Sequence, residues 1–291
     1  MKKIVILGCE NSHANSFLTY IRDNKEFSDV EVIGVYSIER EAAEKLHESF
    51  GVPVMENYDD AVGKVDGIVV TARHGGYHAK FALPYLPTVK AAFIDKPVTI
   101  DEEEAVELMR QCRRYGVKVS GGSCLKFVDE IRAIRDDVRA EANGKTLTGA
   151  VRAPVSYENE HGGFFFYSEH LIAMLGEAFG WFPRSVIARR KGATTSILFR
   201  YPEYDVCGLY TEGYYKYTVS RHSEGAMRHE EFPIQTGGPC FLAEFCEFYD
   251  TLSGKTPEYT EEELIAPVFT LNAIVRALES GHEEEVRTFT I

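Results

Sequence analysis

Ala91-Ala92-Phe93-Ile94-Asp95-Lys96-Pro97 decides the reading of this chain. The apolar run 91–94 is too short for a helix and reads as a buried strand. Proline has no backbone N–H and cannot extend a ladder, so the strand stops there. That leaves a carboxylate and an ammonium at the carboxyl end of a strand, where open α/β sheets hold ligands. A lysine so placed can donate to a hydroxyl or carbonyl, or act as an acid if burial lowers its pKa. The same two residues also suit a solvated ion pair at a strand end.

Outward from this run, residues 1–121 alternate between strand and helix. Strands are expected at 3–7, 30–36, 67–71, 91–94 and 117–120, with a short one at 52–55. Helices are expected at 12–24, 39–50, 77–85 and 101–115, with a short one at 58–62. Gly51 stops the second helix, and Asp101 opens the fifth with an acidic residue. Short strands separated by helices make a doubly wound parallel sheet, and there are too few units for an eight-fold barrel. After Gly121-Gly122 the pattern changes. A charged helix at 128–142 precedes aromatic strands at 146–156, 184–190, 194–201, 207–211 and 215–221, with a helix at 168–179 among them. Helices at 241–253 and 261–280 and a strand near 286–290 follow. The expected fold is therefore α/β: a Rossmann-like unit over 1–121, then an α+β domain over 122–291 with a mostly antiparallel sheet.

The chain has 291 residues, enough for two domains, and 44% of them are hydrophobic, enough to bury real cores. A net charge of −13 argues against nucleic acid and anionic membranes as partners. No run of about 18 apolar residues exists for a membrane span. The opening Met-Lys-Lys-Ile-Val-Ile-Leu-Gly reads as a first strand rather than a signal peptide. Six cysteines (9, 112, 124, 207, 240, 246) form no Cys-x-x-Cys pair and no zinc-ligand spacing. Free thiols in a reducing cytoplasm and no metal site are the expectation.

Gly8-Cys9-Glu10-Asn11-Ser12-His13 lies between the first strand and its helix, where a dinucleotide fingerprint belongs. Of its three glycines only Gly8 is present; Glu10 takes the second place and His13 the third. A carboxylate at Glu10 is expected to repel a pyrophosphate, while Asn11, Ser12 and the helix amino terminus can still donate to phosphate. Ser12 equally suits a helix cap. After the second strand, Ser37 stands where an NAD site has an acid, and Arg40 can meet a 2′-phosphate or be a surface charge; if a dinucleotide binds, this leans towards NADP. Thr71, His74 and His78 follow the strand at 67–71 and face the same crevice. In the second domain, Tyr157, Glu160, His161, Tyr167 and His170 cluster along the chain. His170 suits a general base or a hydrogen-bonded packing residue, with Tyr167 on the same helical face.

The order of these pieces resembles the Gfo/Idh/MocA oxidoreductases, the group of glucose–fructose oxidoreductase and inositol dehydrogenase. The resemblance covers nearly the whole chain: Asp95-Lys96-Pro97 for Glu-Lys-Pro, the Thr71 to His78 segment, His170 opening a second-domain helix, and Lys255-Thr256-Pro257 before the last helix. It implies NAD or NADP as cofactor, a sugar or polyol substrate, Lys96 at cofactor and substrate, and His170 in proton transfer. The implied cofactor contacts are Gly8, Asn11, Ser12, His13, Ser37, Arg40, Thr71, His74, His78, Asp95 and Lys96. The implied substrate contacts are Lys126, Tyr157, Glu160, His161 and Tyr167. The chain departs from the family pattern in its fingerprint, at Phe166 and Ala173, where acidic residues often stand, and at Lys126, where an arginine is usual.

Two other readings use the same scaffold. Glu10, His13, His74, His78, Lys96 and His170 converging on one crevice would make a lyase or isomerase, with or without a metal. Retention of the fold without turnover would make a ligand-binding protein. A homo-oligomer is expected through the second domain's sheet, with Tyr210, Tyr214, Tyr215 and Tyr217 in the contact.

Overall fold

The structure, a computed structural model, describes residues 1–232 and 237–291. In chain order its elements begin β1 (Lys2–Leu7), α1 (Ser12–Asp23), β2 (Val30–Tyr36), α2 (Arg40–Phe50), β3 (Gly67–Val70), α3 (His78–Ala82), β4 (Ala91–Asp95), α4 (Glu102–Tyr115) and β5 (Lys118–Gly122). They continue α5 (Asp129–Arg139), β6 (Thr146–Val155), α6 (Phe165–Phe179), β7 (Ser185–Lys191), β8 (Thr194–Arg200), β9 (Asp205–Glu212), β10 (Tyr217–Ser223) and β11 (Met227–Phe232). The chain closes with α7 (Pro239–Leu252), α8 (Glu261–Ser280) and β12 (Glu284–Glu285).

Two compact units result. The first holds Met1–Gly122, α7 and the stretch up to Leu264. Its five strands are all parallel, in the order β2-β1-β3-β4-β5. Strands buried on both faces need continuous apolar runs, and Ile4–Leu7, Ile68–Val70 and Ala91–Ile94 are wholly inaccessible. The expected strand at 52–55 is only a single parallel bridge, Val35↔Val54. Counted as a vestigial strand, it would restore the doubly wound order 3-2-1-4-5-6. The stretch 58–62 forms turns, not a helix, and α3 ends at Ala82. α4 is capped at both ends: Asp101, expected within its first turn, stands before it and accepts from the amide of Glu104 at 2.9 Å, and Gly116 ends the helix at φ +69°.

α7 corrects the expected boundary, which assigned it to the second domain. Phe241, Phe245, Phe248 and Leu252 form one apolar stripe. That stripe packs within the first unit, with Phe245 4.9 Å from both Phe17 and Phe27 and Phe248 6.1 Å from Phe93, centroid to centroid.

The second unit runs from Ser123 through β11 and takes in Ile265–Thr290. Its seven-stranded sheet has the order β11-β10-β6-β9-β8-β7-β12, and only β6 and β9 pair in parallel. α6 lies on β6, and every residue of α6 from Ser168 to Phe179 is buried. β11 escaped the sequence reading because it is a largely exposed edge strand in which only Phe232 is buried. The expected last strand at 286–290 is absent, and β12 pairs just before it. Tyr210 and Tyr217 are core residues, not surface contacts; Tyr214 and Tyr215 are exposed.

Candidate active site

The two units each place a cluster of polar side chains. In the first, the clustered residues stand at the carboxyl ends of β1, β2, β3 and β4, around the point where the strand order reverses. Gly8 ends β1 at φ +84°, and a Cβ there would lie 2.3 Å from the backbone nitrogen of Ala72. Only glycine allows this approach. Gly8→Ala is expected to cost about 1–3 kcal/mol from backbone conformation alone, with the clash added. A urea melt checks this, and unchanged stability would contradict it.

Asn11, not Ser12, caps α1: its Oδ1 accepts from the His13 amide at 2.8 Å. Its Nδ2 donates to the Thr71 carbonyl at 2.6 Å and to Asp95 Oδ2 at 2.8 Å. Thr71 is fully buried and donates to the Gly8 carbonyl at 2.6 Å. Asp95 accepts from the Lys96 amide at 2.7 Å. Lys96 itself is 9% exposed. One hydrogen-bonded frame thus joins the ends of β1, β3 and β4 and fixes the backbone of Lys96.

His13 and His78 belong to this frame rather than to a ligand surface. His13 is buried between two carboxylates, with Nδ1 3.2 Å from Asp95 Oδ2 and Nε2 3.1 Å from Glu244 Oε2. Its ring stacks on Phe241 at 4.4 Å. Burial opposes its charged form, but Asp95 and Glu244 outweigh burial and raise its pKa. His78 is fully buried, its Nε2 2.8 Å from the Ala72 carbonyl, and burial lowers its pKa despite Asp95 nearby. His74 accepts from the Gly76 amide at 3.1 Å. The convergence of Glu10, His13, His74 and His78 proposed from sequence is therefore not formed as a set.

Glu10 does not point its carboxylate along the path expected from the fingerprint. Oε2 accepts from the Ser37 hydroxyl at 2.6 Å and Oε1 from the Arg73 amide at 2.9 Å. The Ser37 hydroxyl also accepts from the Glu39 amide at 3.1 Å. Arg40 faces Glu44 at 2.9 Å and holds Glu56 through two bonds of 2.8 and 3.0 Å. Beside them opens a cleft of about 670 Å³, lined by Glu10, Arg40, Glu41, Lys45 and Arg73 among others.

In the second unit, His170 is 9% exposed, and its Nδ1 lies 2.8 Å from the Ser123 hydroxyl. The Tyr167 ring stands 5.6 Å from the imidazole and 5.8 Å from Tyr215. Lys126 is 2% exposed, in the short turn Cys124–Phe127, with its ammonium 5.2 Å from the Phe127 ring. Tyr157 faces the sheet: its hydroxyl meets Thr195 at 2.5 Å, and the Arg190 guanidinium covers its ring at 3.5 Å. Glu160 is exposed and sits 3.8 Å from His161, whose ring packs on Phe166 at 5.0 Å. The structure thus gathers His170 and Tyr167, and keeps Tyr157 in a separate aromatic contact with Phe164. Ser123, Glu10 and Glu244 escaped the sequence reading as partners because each acts on a residue distant in the chain.

A glycine-turned crevice at the switch point of a parallel sheet defines a dinucleotide-binding type of Rossmann unit. A family model described as oxidoreductase family, NAD-binding Rossmann fold, matches residues 2–123. That segment is thus similar to the NAD-binding unit of the Gfo/Idh/MocA oxidoreductases, and the match covers less than half of the chain. A curated relative, glucose-6-phosphate 3-dehydrogenase of Bacillus subtilis (strain 168), is 28% identical over 151 residues. The match spans 51% of this chain and 41% of the relative, so the chain covers less than half of that protein's length. Among solved structures, scyllo-inositol dehydrogenase from Lactobacillus casei with bound NAD(H) and scyllo-inositol superposes with a TM-score of 0.84 at 16% identity, covering 99% of this chain and 100% of that one. Myo-inositol dehydrogenase from Corynebacterium glutamicum ATCC 13032 gives 0.82 at 15% identity, with 99% and 100% covered. At these identities the likeness is one of fold, and it extends over both units.

Proposed function

We propose that this chain is a nicotinamide-dinucleotide-dependent oxidoreductase acting on a hydroxyl of a sugar, polyol or related compound. The observation that carries the reading is the crevice past β1 and β2, lined by Cys9, Glu10 and Arg73 in a segment that matches an NAD-binding oxidoreductase family model. The residues there suit a dinucleotide: Gly8 turns the chain at φ +84° from β1 towards α1, and Asn11 and Ser12 present the start of α1 to a phosphate. Bound there, the nicotinamide supplies the hydride chemistry. Lys96 orients the reacting hydroxyl, and the Asp95 frame holds its backbone in place. His170 takes or returns the proton, Tyr167 shapes the substrate side, and Lys126, Tyr157, Glu160 and His161 complete the candidate substrate set.

Ser123 is the positioning residue for His170. Its oxygen already accepts from the Leu125 amide at 3.3 Å, leaving one lone pair and one proton to face Nδ1. Such a hydroxyl can accept from Nδ1–H, which holds the tautomer in which Nε2 takes the proton in one direction and returns it in the other. Ser123→Ala is expected to lower kcat about tenfold and displace the pH profile while nicotinamide binding stays unchanged. An unmoved pH profile would assign Ser123 to packing alone.

The sequence lean to NADP rested on Ser37 standing in place of an acid and on Arg40 meeting a 2′-phosphate; Arg40 pairs with Glu44 and Glu56. A cytoplasmic setting is supported by six cysteines that lie in no disulfide. No helix among the described residues is long and apolar enough to cross a membrane. An oligomer through the second unit's sheet is supported by exposed Tyr214, Tyr215 and Leu147; solution scattering at the mass of one chain would overturn it. The reading as a whole is tested by titrating the purified chain with NADH and NADPH, followed by turnover on a panel of sugars and cyclitols. Binding with turnover on one class supports it; absence of binding by either nucleotide overturns it.

A further inference from the structure

We infer that Glu10, from the turn after β1, supplies the carboxylate for the adenosine ribose hydroxyls and so selects NAD(H) over NADP(H). This rests on the proposed nicotinamide-dependent function and adds the cofactor choice to it.

A Rossmann unit reads the ribose beyond the end of β2, where an acidic side chain accepts from the hydroxyls. This chain has Ser37 at that place and no acid of its own in the position. The charge arrives from the neighbouring turn instead. Ser37 donates to Glu10 at 2.6 Å, and the Arg73 amide donates to its other oxygen at 2.9 Å. Each carboxylate oxygen has further acceptor capacity beyond these bonds. Ser37 is in turn fixed by the Glu39 amide. The negative charge is therefore pinned between the ends of β1, β2 and β3, at the edge of the cleft.

The cations of the cleft do not offset it equally. Arg40, the nearest candidate for a 2′-phosphate by sequence, is spent on two carboxylates, one of them through a two-bond fork. Lys45 and Arg73 also line the cleft, but so do Glu39 and Glu41, so its lining charges balance. What distinguishes the two cofactors is the fixed charge, and that is Glu10. A phosphate brought against a held carboxylate is strongly disfavoured, whereas a ribose hydroxyl gains a charge-assisted hydrogen bond. The second fingerprint position, expected to be an obstacle to the pyrophosphate, becomes a specificity element because Ser37 and Arg73 draw its side chain aside.

The test is nicotinamide-fluorescence titration of the full chain with NADH and NADPH, for the natural protein, Glu10→Gln and Ser37→Ala. The natural protein is expected to bind NADH about 100-fold more tightly than NADPH. In Glu10→Gln this ratio is expected to fall about tenfold or more, chiefly through better NADPH binding. Ser37→Ala keeps the charge but releases it, and a loss of about threefold or more in NADH affinity is expected. It serves as the deciding variant should Glu10→Gln not fold. Equal affinities or an NADPH preference in the natural protein, or a ratio unmoved in both variants, would overturn the inference and leave the oxidoreductase reading standing. Binding of neither nucleotide by the natural protein would overturn both.

Discussion

Replacing Glu244 with alanine is expected to lower the unfolding free energy by about 1–3 kcal/mol, because it removes one of the two carboxylates that face the buried His13 and leaves Asp95 as the other. Glu244 has no accessible surface on α7. It faces His13 at 3.1 Å, and His13 in turn faces Asp95 at 3.2 Å. Asp95 also receives Asn11 and the Lys96 amide, so the loss is expected to reach the frame that holds Lys96. The pH dependence has a definite sign. Burial alone would lower the pKa of His13, but Asp95 and Glu244 raise it above its ordinary value of about 6.5. A group whose folded pKa is raised binds its proton more tightly when folded. Its stabilisation is complete below about pH 6.5 and is lost as pH rises through the raised native value. Urea melts of the natural protein and Glu244→Ala at pH 6 and at pH 9 check this. The gap between them is expected to narrow at the higher pH. An equal gap at both would mean that His13 is not charged in the folded chain.

His170→Asn is expected to lower kcat by about 10²–10⁴-fold, the usual contribution of a positioned general acid or base. Asparagine keeps a polar atom near Ser123 but has no titratable nitrogen. Nicotinamide affinity and melting temperature are expected to stay near their natural values, since asparagine keeps a polar group beside the Ser123 hydroxyl. The pairing of lost turnover with retained binding is the informative result. A fall of less than about threefold in kcat would remove His170 from proton transfer and leave it a packing residue against Tyr167 and Tyr217.

The first unit was largely legible because buried parallel strands carry their signal within themselves. Ala91–Ile94 and Ile4–Leu7 are apolar throughout, since both faces of the strand are covered. The second unit was legible where one face of a strand is buried and the other is not, as in β8, with Thr195, Ile197 and Phe199 inside. β11 lacked that contrast, as an edge strand in which five of six residues have access to solvent. The sequence reading also placed Tyr210 in a contact between subunits. In the fold it is fully buried and donates to the Ser168 carbonyl at 2.5 Å.

The sequence by itself determined where strands end, and so which residues gather at the carboxyl edge of the sheet: Gly8, Ser37, Thr71, Asp95 and Lys96. Local sterics and apolar runs decide that, and both are written in neighbouring residues. Only the tertiary structure decided which of those groups face a ligand and which face one another. His13 was set between Asp95 and Glu244, Glu10 was turned to Ser37, and His170 was given to Ser123 from 47 positions away. α7 shows the same division, since its apolar stripe is plain in the sequence but the unit it covers is not. A polar side chain settles on whatever partner removes its desolvation cost, and that partner is brought near by the packing of elements rather than by spacing along the chain.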